Sequence, residues 1–354
     1  MGEKAINAEG VAEKDRLSED NLDAWMREHV EGFAGLASYT KFADGQSNPT
    51  YRVEDQAGRA LVLRRKPFGS ILPSAHAVER EFRAIVGLHP TGFPVAKPYA
   101  LCEDDNVVGS AFYIMEMVEG RTLWDGMLPE CEPAERTSIY RSMIGALAQL
   151  HNLDYVEIGL ENHGKTGNYF ERQINTWTKQ YRRAETDRIE EVERLIEWLP
   201  KTVPEQTRTS VIHGDYRLDN MIFAPDRPEV LAVLDWELST IGDPLADFTY
   251  LAQNWVMEGT GTASLGGHDL AGTGIPTLEE ATALYCELTD RDSVPDMNWY
   301  FAYNLFRLTG ILQGIKKRWL DGTASSAEAE ERSKRVPELA QAAWGFARAA
   351  GAPA

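Results

Sequence analysis

The sequence predicts an α+β chain of two lobes, a small β-rich lobe followed by a larger, mainly helical one. Three observations carry this. Strand-like runs at 51–53, 61–64 and 112–117 crowd into the stretch 38–118, around a single helical pattern at about 75–88. Beyond Gly120 the apolar period changes to three- and four-residue steps, first at 133–151, where Tyr140, Met143, Ile144, Leu147 and Leu150 form one stripe. A short β insertion, with runs at 211–213, 221–223 and 230–234, then interrupts the helical part. The expected organisation is a segment with a helix at 1–37, a small lobe at 38–118 and a helical lobe at 119–354.

Taken in order, Ser18 or Asp20 can cap a first helix whose apolar residues Leu22, Trp25, Met26, Val30 and Phe33 recur at helical steps. Helical patterns at 170–181 and 189–199 precede the β insertion. After it, Asp243 before Pro244 reads as a helix cap with proline at the first helical position, and Leu245, Phe248 and Leu251 share a face. Asp247 on the same helix reads as architecture too. The stretch 259–275 is rich in Gly, Thr and Ala without an apolar period, which predicts a long loop of the kind that often serves as a lid. A last long pattern runs over 298–320, and no internal repeat is present.

With 354 residues, 43% hydrophobic and 26% charged, the chain has the makeup of a folded protein. Its 36 basic against 55 acidic residues give a net charge of -19, which repels polyanions and argues against nucleic acid and anionic membrane partners. The same balance suits a cationic substrate, but acidic surfaces commonly serve solubility. Cys102, Cys131 and Cys286 lie far apart with no CxxC pair, which fits neither zinc nor a disulfide framework. No apolar run approaches the roughly 20 residues needed to span a bilayer, the start has no signal-peptide core, and Ile6 stands where a myristoylation signal wants Ser or Thr. A cytoplasmic protein is expected. The sequence names no oligomeric state.

Chemistry concentrates in His213-Gly214-Asp215-Tyr216-Arg217-Leu218-Asp219-Asn220, followed fifteen residues after Asn220 by Asp235-Trp236-Glu237. Phosphoryl transfer needs a carboxylate to orient and deprotonate a hydroxyl, and oxygen ligands that hold Mg²⁺ across nucleotide phosphates. Asp215 can be the first, and Asn220 with Asp235 can be the second. A hairpin of 221–223 and 230–234 would return the chain so that Asp235 lies at a strand end beside Asn220. The ordinary role of a loop Asp is a turn or cap, and the company of the other two residues argues against it here.

These motifs resemble the aminoglycoside phosphotransferase and choline kinase superfamily, whose HGDxxxxN and D-W/F-E motifs answer to the catalytic-loop and metal-binding motifs of protein kinases. Within it, the run HGDYRLDNMIF…VLDWELSTIGDPLADFTYL, with RRKPFG, Arg172-Gln173, Trp177, Gln180-Tyr181 and Phe306-Arg307, is similar to the kinase-like domain fused to some acyl-CoA dehydrogenases. The resemblance implies a bilobal protein-kinase-like fold, ATP and Mg²⁺ as cofactors, a small-molecule acceptor, and an acyl-CoA dehydrogenase as a possible pathway partner. It also implies that Arg217, two residues after the base, neutralises phosphate charge, with a surface arginine nearly as good a reading. In the small lobe it implies that Val62 contacts adenine, that Arg64 pairs the phosphates, and that backbone groups of Glu116 and Val118 face adenine. Arg64 stands where Lys is usual, and Arg65 or Lys66 takes its place if the register slips. Glu81 falls on the apolar stripe of its helix with Val78, Phe82 and Ile85, an odd place for a carboxylate unless it meets a cation such as Arg64. Gly45, Gln46, Ser47 and Asn48 sit between strand patterns, where a turn can aim N–H groups at phosphate or simply close a hairpin.

For the acceptor, Trp299 and Tyr303 share a stripe of the last long helix with Arg307 beside it. A cation next to aromatic rings suits a substrate with an apolar body and an anionic group, a hydroxy acid or hydroxyacyl-CoA, better than a polycationic antibiotic. Lys316, Lys317 and Arg318 near the helix end read equally as complements of its dipole. The alternatives are an aminoglycoside or other antibiotic phosphotransferase and, from another class, a non-catalytic nucleotide-binding scaffold.

Overall fold

A computed structural model describes residues 15–42, 48–67, 77–259, 263–323 and 329–353, and the backbone of 5–7. The chain forms two compact units, one made of 1–124, 154–163 and 213–239, the other of 125–153, 164–212 and 240–354.

The first stretch holds β1 (Ala5–Asn7), α1 (Glu19–His29), β2 (Leu36–Phe42), β3 (Thr50–Asp55), β4 (Ala60–Arg65), α2 (Val78–Leu88), β5 (Pro98–Cys102), α3 (Asp105–Val108) and β6 (Phe112–Glu116). Next come α4 (Pro133–Asn152), α5 (Tyr169–Ala184), α6 (Glu190–Trp198), β7 (Ser210–Ile212), β8 (Met221–Phe223), β9 (Val230–Val233) and β10 (Thr240–Gly242). The chain ends with α7 (Leu245–Ala252), α8 (Leu278–Thr289), α9 (Met297–Leu320), α10 (Ala329–Lys334) and α11 (Val336–Ala349).

In the first unit six strands form an antiparallel sheet in the order β1-β2-β3-β4-β6-β5. Strand alternation sends Leu61, Leu63 and Arg65 of β4 to one face and Val62 and Arg64 to the other. The first face meets α1: Leu22, Met26 and Val30 cluster with Tyr51, Val53, Leu61, Leu63 and Ile114. Burying each such side chain contributes about 1.5–3 kcal/mol, and Leu63→Ala would cost roughly 2–5 kcal/mol. Arg65, fully buried, lies among these neighbours with its Nε donating to the Tyr51 hydroxyl at 3.1 Å. Helix α2 contacts β5 and β6 and buries Val78, Glu81, Ala84, Ile85 and Leu88. After Leu88 it tightens into a 3-10 turn over His89–Thr91, which ends at Gly92 in the left-handed region.

The sequence left β2 and β5 unread. Strand β2 exposes the neighbours Ala37 and Ser38, and in β5 Pro98 to Leu101 are all half-buried, so neither alternates cleanly, and β5 begins at a proline. The hairpin expected from 221–223 and 230–234 forms as β8 and β9, and it belongs to the first unit. Strand β7, by contrast, pairs with β10 in the second unit.

The second unit is helical around α9, which touches α5, α7, α10 and α11, while α4 lies on α8. Asp243 accepts the Leu245 N–H at 2.9 Å, as a cap does. The stretch expected to form a lid is, from Ala263 on, tied down instead: Thr137 donates to Gly274 O at 2.6 Å and Arg136 to Thr273 O at 3.3 Å. Backbone groups without regular partners are taken by side chains of α4, which no apolar period could announce. Among the described residues the three cysteines are buried and free, and no helix is long and apolar enough to cross a membrane.

Candidate active site

The residues expected to carry the chemistry, Asp215, Asn220 and Asp235 with Arg64 and Glu81, all lie in the first unit, on segment 213–239 and on β4 and α2. Gly214 adopts φ +85°, and a Cβ there would stand 2.7 Å from Leu238 O, so only glycine admits the turn that presents Asp215. His213 joins two strands of this construction. Its Nδ1 accepts the Asp215 N–H at 3.2 Å and its Nε2 meets Leu234 O at 2.7 Å, which fixes the proton on Nε2. The Asn220 amide nitrogen donates to Asp215 O at 2.9 Å and to Asp215 Oδ2 at 3.1 Å, holding the carboxylate and leaving the amide oxygen as the atom able to ligate a cation. Asn220 O in turn accepts the Leu234 N–H at 2.8 Å, which brings the segment before Asp235 beside it.

Asp235 sits at φ 65°, ψ 60°, a left-handed conformation that costs a non-glycine residue about 1–2 kcal/mol. Such a residue persists where its surroundings hold it. Here Arg64 Nη2 reaches Asp235 Oδ1 at 2.5 Å, Arg64 Nε reaches Glu81 Oε2 at 2.8 Å, and Glu237 lies at 3.8 Å from the same guanidinium. One cation therefore faces three carboxylates. Glu81, 1% exposed, also accepts from Asn48 Nδ2 at 2.6 Å and the Tyr113 hydroxyl at 3.1 Å. Burial pushes the Glu81 carboxyl up to about 7, against the pull of Arg64. Desolvation acts on Arg64 as well, yet its carboxylate neighbours leave it held more firmly in the charged form than usual. Two hydrogen-bond donors and a guanidinium on one carboxylate favour the ionised state, and we read the pair as an ion pair.

Among the three consecutive cations, Arg64 is the one that meets Glu81. Lys66 pairs with Glu79, and Arg65 is on the opposite face. Asn48 is buried with its amide on Glu81, and Gly45, Gln46 and Ser47 lie outside the described residues. Val62 is 6% exposed on the Arg64 face, opposite Met115. The Glu116 N–H is committed to Lys97 O at 2.9 Å, and Val118 is half-buried. The Arg217 Nε donates to Asp219 Oδ1 at 2.6 Å in a two-pronged contact, so its charge is already answered by a carboxylate.

The residues expected to meet the acceptor lie in the second unit, where Trp299 and Tyr303 prove to be core. Trp299 and Tyr303 are 5% and 1% exposed, with Phe170 at 5.3 and 5.0 Å from their ring centres. Trp299 Nε1 donates to Thr202 Oγ1 at 2.9 Å. A wide aromatic stripe on a helix packed on several sides becomes core, and these two rings line no open surface. Arg307 is half-buried, its guanidinium 5.7 Å above Trp177 and 5.3 Å above Tyr250.

Sequence reasoning passed over Glu237, Tyr113 and Arg80. Glu237 was visible inside the motif, whereas the other two are recognisable only by their partners.

The donors fit Mg²⁺. Asp235 and Asn220 offer hard oxygens, the surplus of carboxylates around Arg64 favours added positive charge, and Mg²⁺ is ordinarily held by one or two carboxylates plus phosphates.

A six-stranded sheet with a helix glutamate paired to a strand cation, followed by a mainly helical region, defines a protein-kinase-like fold of the phosphotransferase class. The chain belongs to the phosphotransferase enzyme family, whose model matches residues 38–284. It is 45% identical over 333 residues to acyl-CoA dehydrogenase family member 10 of Mus musculus, covering 92% of this chain and 31% of that one. With acyl-CoA dehydrogenase family member 11 of Homo sapiens it shares 38% over 337 residues, covering 94% and 43%. The chain thus spans less than half the length of these relatives. Among solved structures, a candidate aminoglycoside phosphotransferase from Ralstonia eutropha is 48% identical with a TM-score of 0.86, covering 94% of this chain and 99% of that one. An aminoglycoside phosphotransferase solved with ADP and hygromycin B is 13% identical with a TM-score of 0.61, covering 94% and 100%, a likeness of fold alone.

Proposed function

We propose that this chain is an ATP- and Mg²⁺-dependent phosphotransferase that phosphorylates a hydroxyl of a small molecule, favouring a hydroxy acid or hydroxyacyl-CoA. The observation that carries the reading is the convergence, within one unit, of the Asp215–Asn220 pair and the Arg64–Glu81–Asp235 network. In this mechanism Asn220 fixes the Asp215 carboxylate, which orients the acceptor O–H and takes its proton as the new O–P bond forms. The bond between the β,γ-bridging oxygen and the γ-phosphorus breaks, and ADP leaves. Arg64, set by Glu81, faces the nucleotide phosphates with a fixed charge. Asp235 and Asn220 would hold Mg²⁺, which supplies neutralisation of phosphate charge when bound.

For the acceptor, support comes from the half-buried Arg307 cation set near the aromatic rings of Trp177 and Tyr250, and from relatives named as acyl-CoA dehydrogenase family members. On this reading an acyl-CoA dehydrogenase consumes or supplies the same acyl chain. The test is phosphorylation of a 4-hydroxyacyl-CoA against kanamycin by wild type and Arg307→Ala. Preferential turnover of the acyl-CoA, weakened by the substitution, is expected; efficient kanamycin turnover insensitive to Arg307 would overturn the acceptor assignment.

A further inference from the structure

Arg80 stands next to Glu81 on α2 but points elsewhere, since neighbouring helix positions differ by about 100° in direction. Its Nη2 donates to two main-chain carbonyls far apart in sequence, His163 O at 2.9 Å and Ser239 O at 3.0 Å. Ser239 closes the turn that Asp235 opens. Its N–H and hydroxyl both bond Trp236 O, at 3.0 and 2.6 Å. The hydroxyl proton being spent on that carbonyl, His163 Nε2–H is the donor to Ser239 Oγ at 2.9 Å. Ser239 and His163 are 1% and 0% exposed, so these bonds do not exchange freely with water.

Helix α2 therefore grips the turn twice: through Glu81 and Arg64 at Asp235, and through Arg80 at Ser239. We propose that Arg80 is a positioning residue that holds the Asp235 turn in its left-handed, metal-ready form, coupling α2 to the Mg²⁺ dependence of nucleotide binding. The physical reason is the strain at Asp235. A left-handed aspartate relaxes unless the chain is fixed on both sides, and β9 with Arg64 fixes the entry. On the exit side Arg80 holds the Ser239 carbonyl, beside His163 on the Ser239 hydroxyl and β10 from Thr240 on. Lysine keeps the charge but not the planar fork, and methionine keeps only the length.

The nucleotide part of this proposal rests on the phosphotransferase reading; the positioning part does not. In the intact chain, Arg80→Met and Arg80→Lys are compared with wild type by hydrogen exchange and by ATP calorimetry in Mg²⁺ and in EDTA. Amides of 234–240 are expected to exchange about tenfold faster in Arg80→Met, with partial protection in Arg80→Lys and no change in α9. The gain in ATP affinity on adding Mg²⁺ is expected to fall roughly fivefold or more, while affinity in EDTA stays within about twofold. Exchange at 234–240 that matches wild type in both variants would overturn the role of Arg80, whatever nucleotide binding does. A wild-type chain that binds no ATP would instead overturn the phosphotransferase reading, with the exchange experiment still deciding Arg80.

Discussion

Arg64 meets more opposite charge than it can neutralise, and the functional consequences at residue scale begin there. Glu81 is buried, so Glu81→Ala removes the partner of a desolvated guanidinium, a change that costs roughly 3–5 kcal/mol where no other group compensates. Asp235 softens that cost, because it also touches Arg64. Arg64→Ala is expected to weaken nucleotide binding more than Glu81→Ala does, with a coupling of about 0.5–3 kcal/mol between them in a double-mutant cycle. Additive effects would mean that Glu81 does not act through Arg64. The roles of the two aspartates separate in the same way. Asp235→Asn removes the charge of the proposed Mg²⁺ ligand and is expected to weaken MgATP binding about tenfold or more, whereas Asp215→Asn is expected to leave binding near normal and to lower turnover by roughly 10²–10⁴. Calorimetry and rates on both variants decide this, and equal loss of binding in the two would reverse the assignment. The position of Glu81 was legible because a carboxylate interrupts an apolar stripe. That of Asn48 was not, since a small amide between strands reads as turn chemistry until its partner is seen.

At the scale of elements, α2 and the segment around His163 meet the turn that carries Asp235 through Arg80 and His163. His163 is pushed down to about 4 by burial, then by the nearby Arg80 and Arg83. It is thus neutral in the folded chain at pH values where the unfolded chain, near the ordinary histidine value, already takes up a proton. The sign follows: the contribution is complete above about pH 6.5 and is lost as pH falls toward 4, up to roughly 3 kcal/mol. Urea midpoints at about pH 7 and about pH 5 should fall more steeply for wild type than for His163→Gln. Equal slopes would place the proton uptake elsewhere. Elements with a clear period, α4 and the hairpin of β8 and β9, were readable from the sequence, while β2 and β5 were not, because their burial is set by pairing within the sheet.

On the scale of the whole molecule, a ligand that binds only the folded chain must stabilise it. At about 100 times its dissociation constant, MgATP should add roughly 2.7 kcal/mol and raise the melting temperature by a few degrees. EDTA and Asp235→Asn should each remove most of that rise; a rise unaffected by either would show that the metal is not held at this turn. The sequence by itself determined the α+β class, the change from strands to helices near Gly120, and the Asp215, Asn220 and Asp235 motif, because period and motif spacing are local properties of the chain. Only the tertiary structure decided which of three consecutive cations meets Glu81, since a shift of one residue along a strand exchanges its faces. It also decided that Trp299 and Tyr303 are core and that 263–275 is tied down. A stripe or a loop looks the same in sequence whether it faces solvent, a ligand or another helix, and burial depends on what the rest of the chain brings against it.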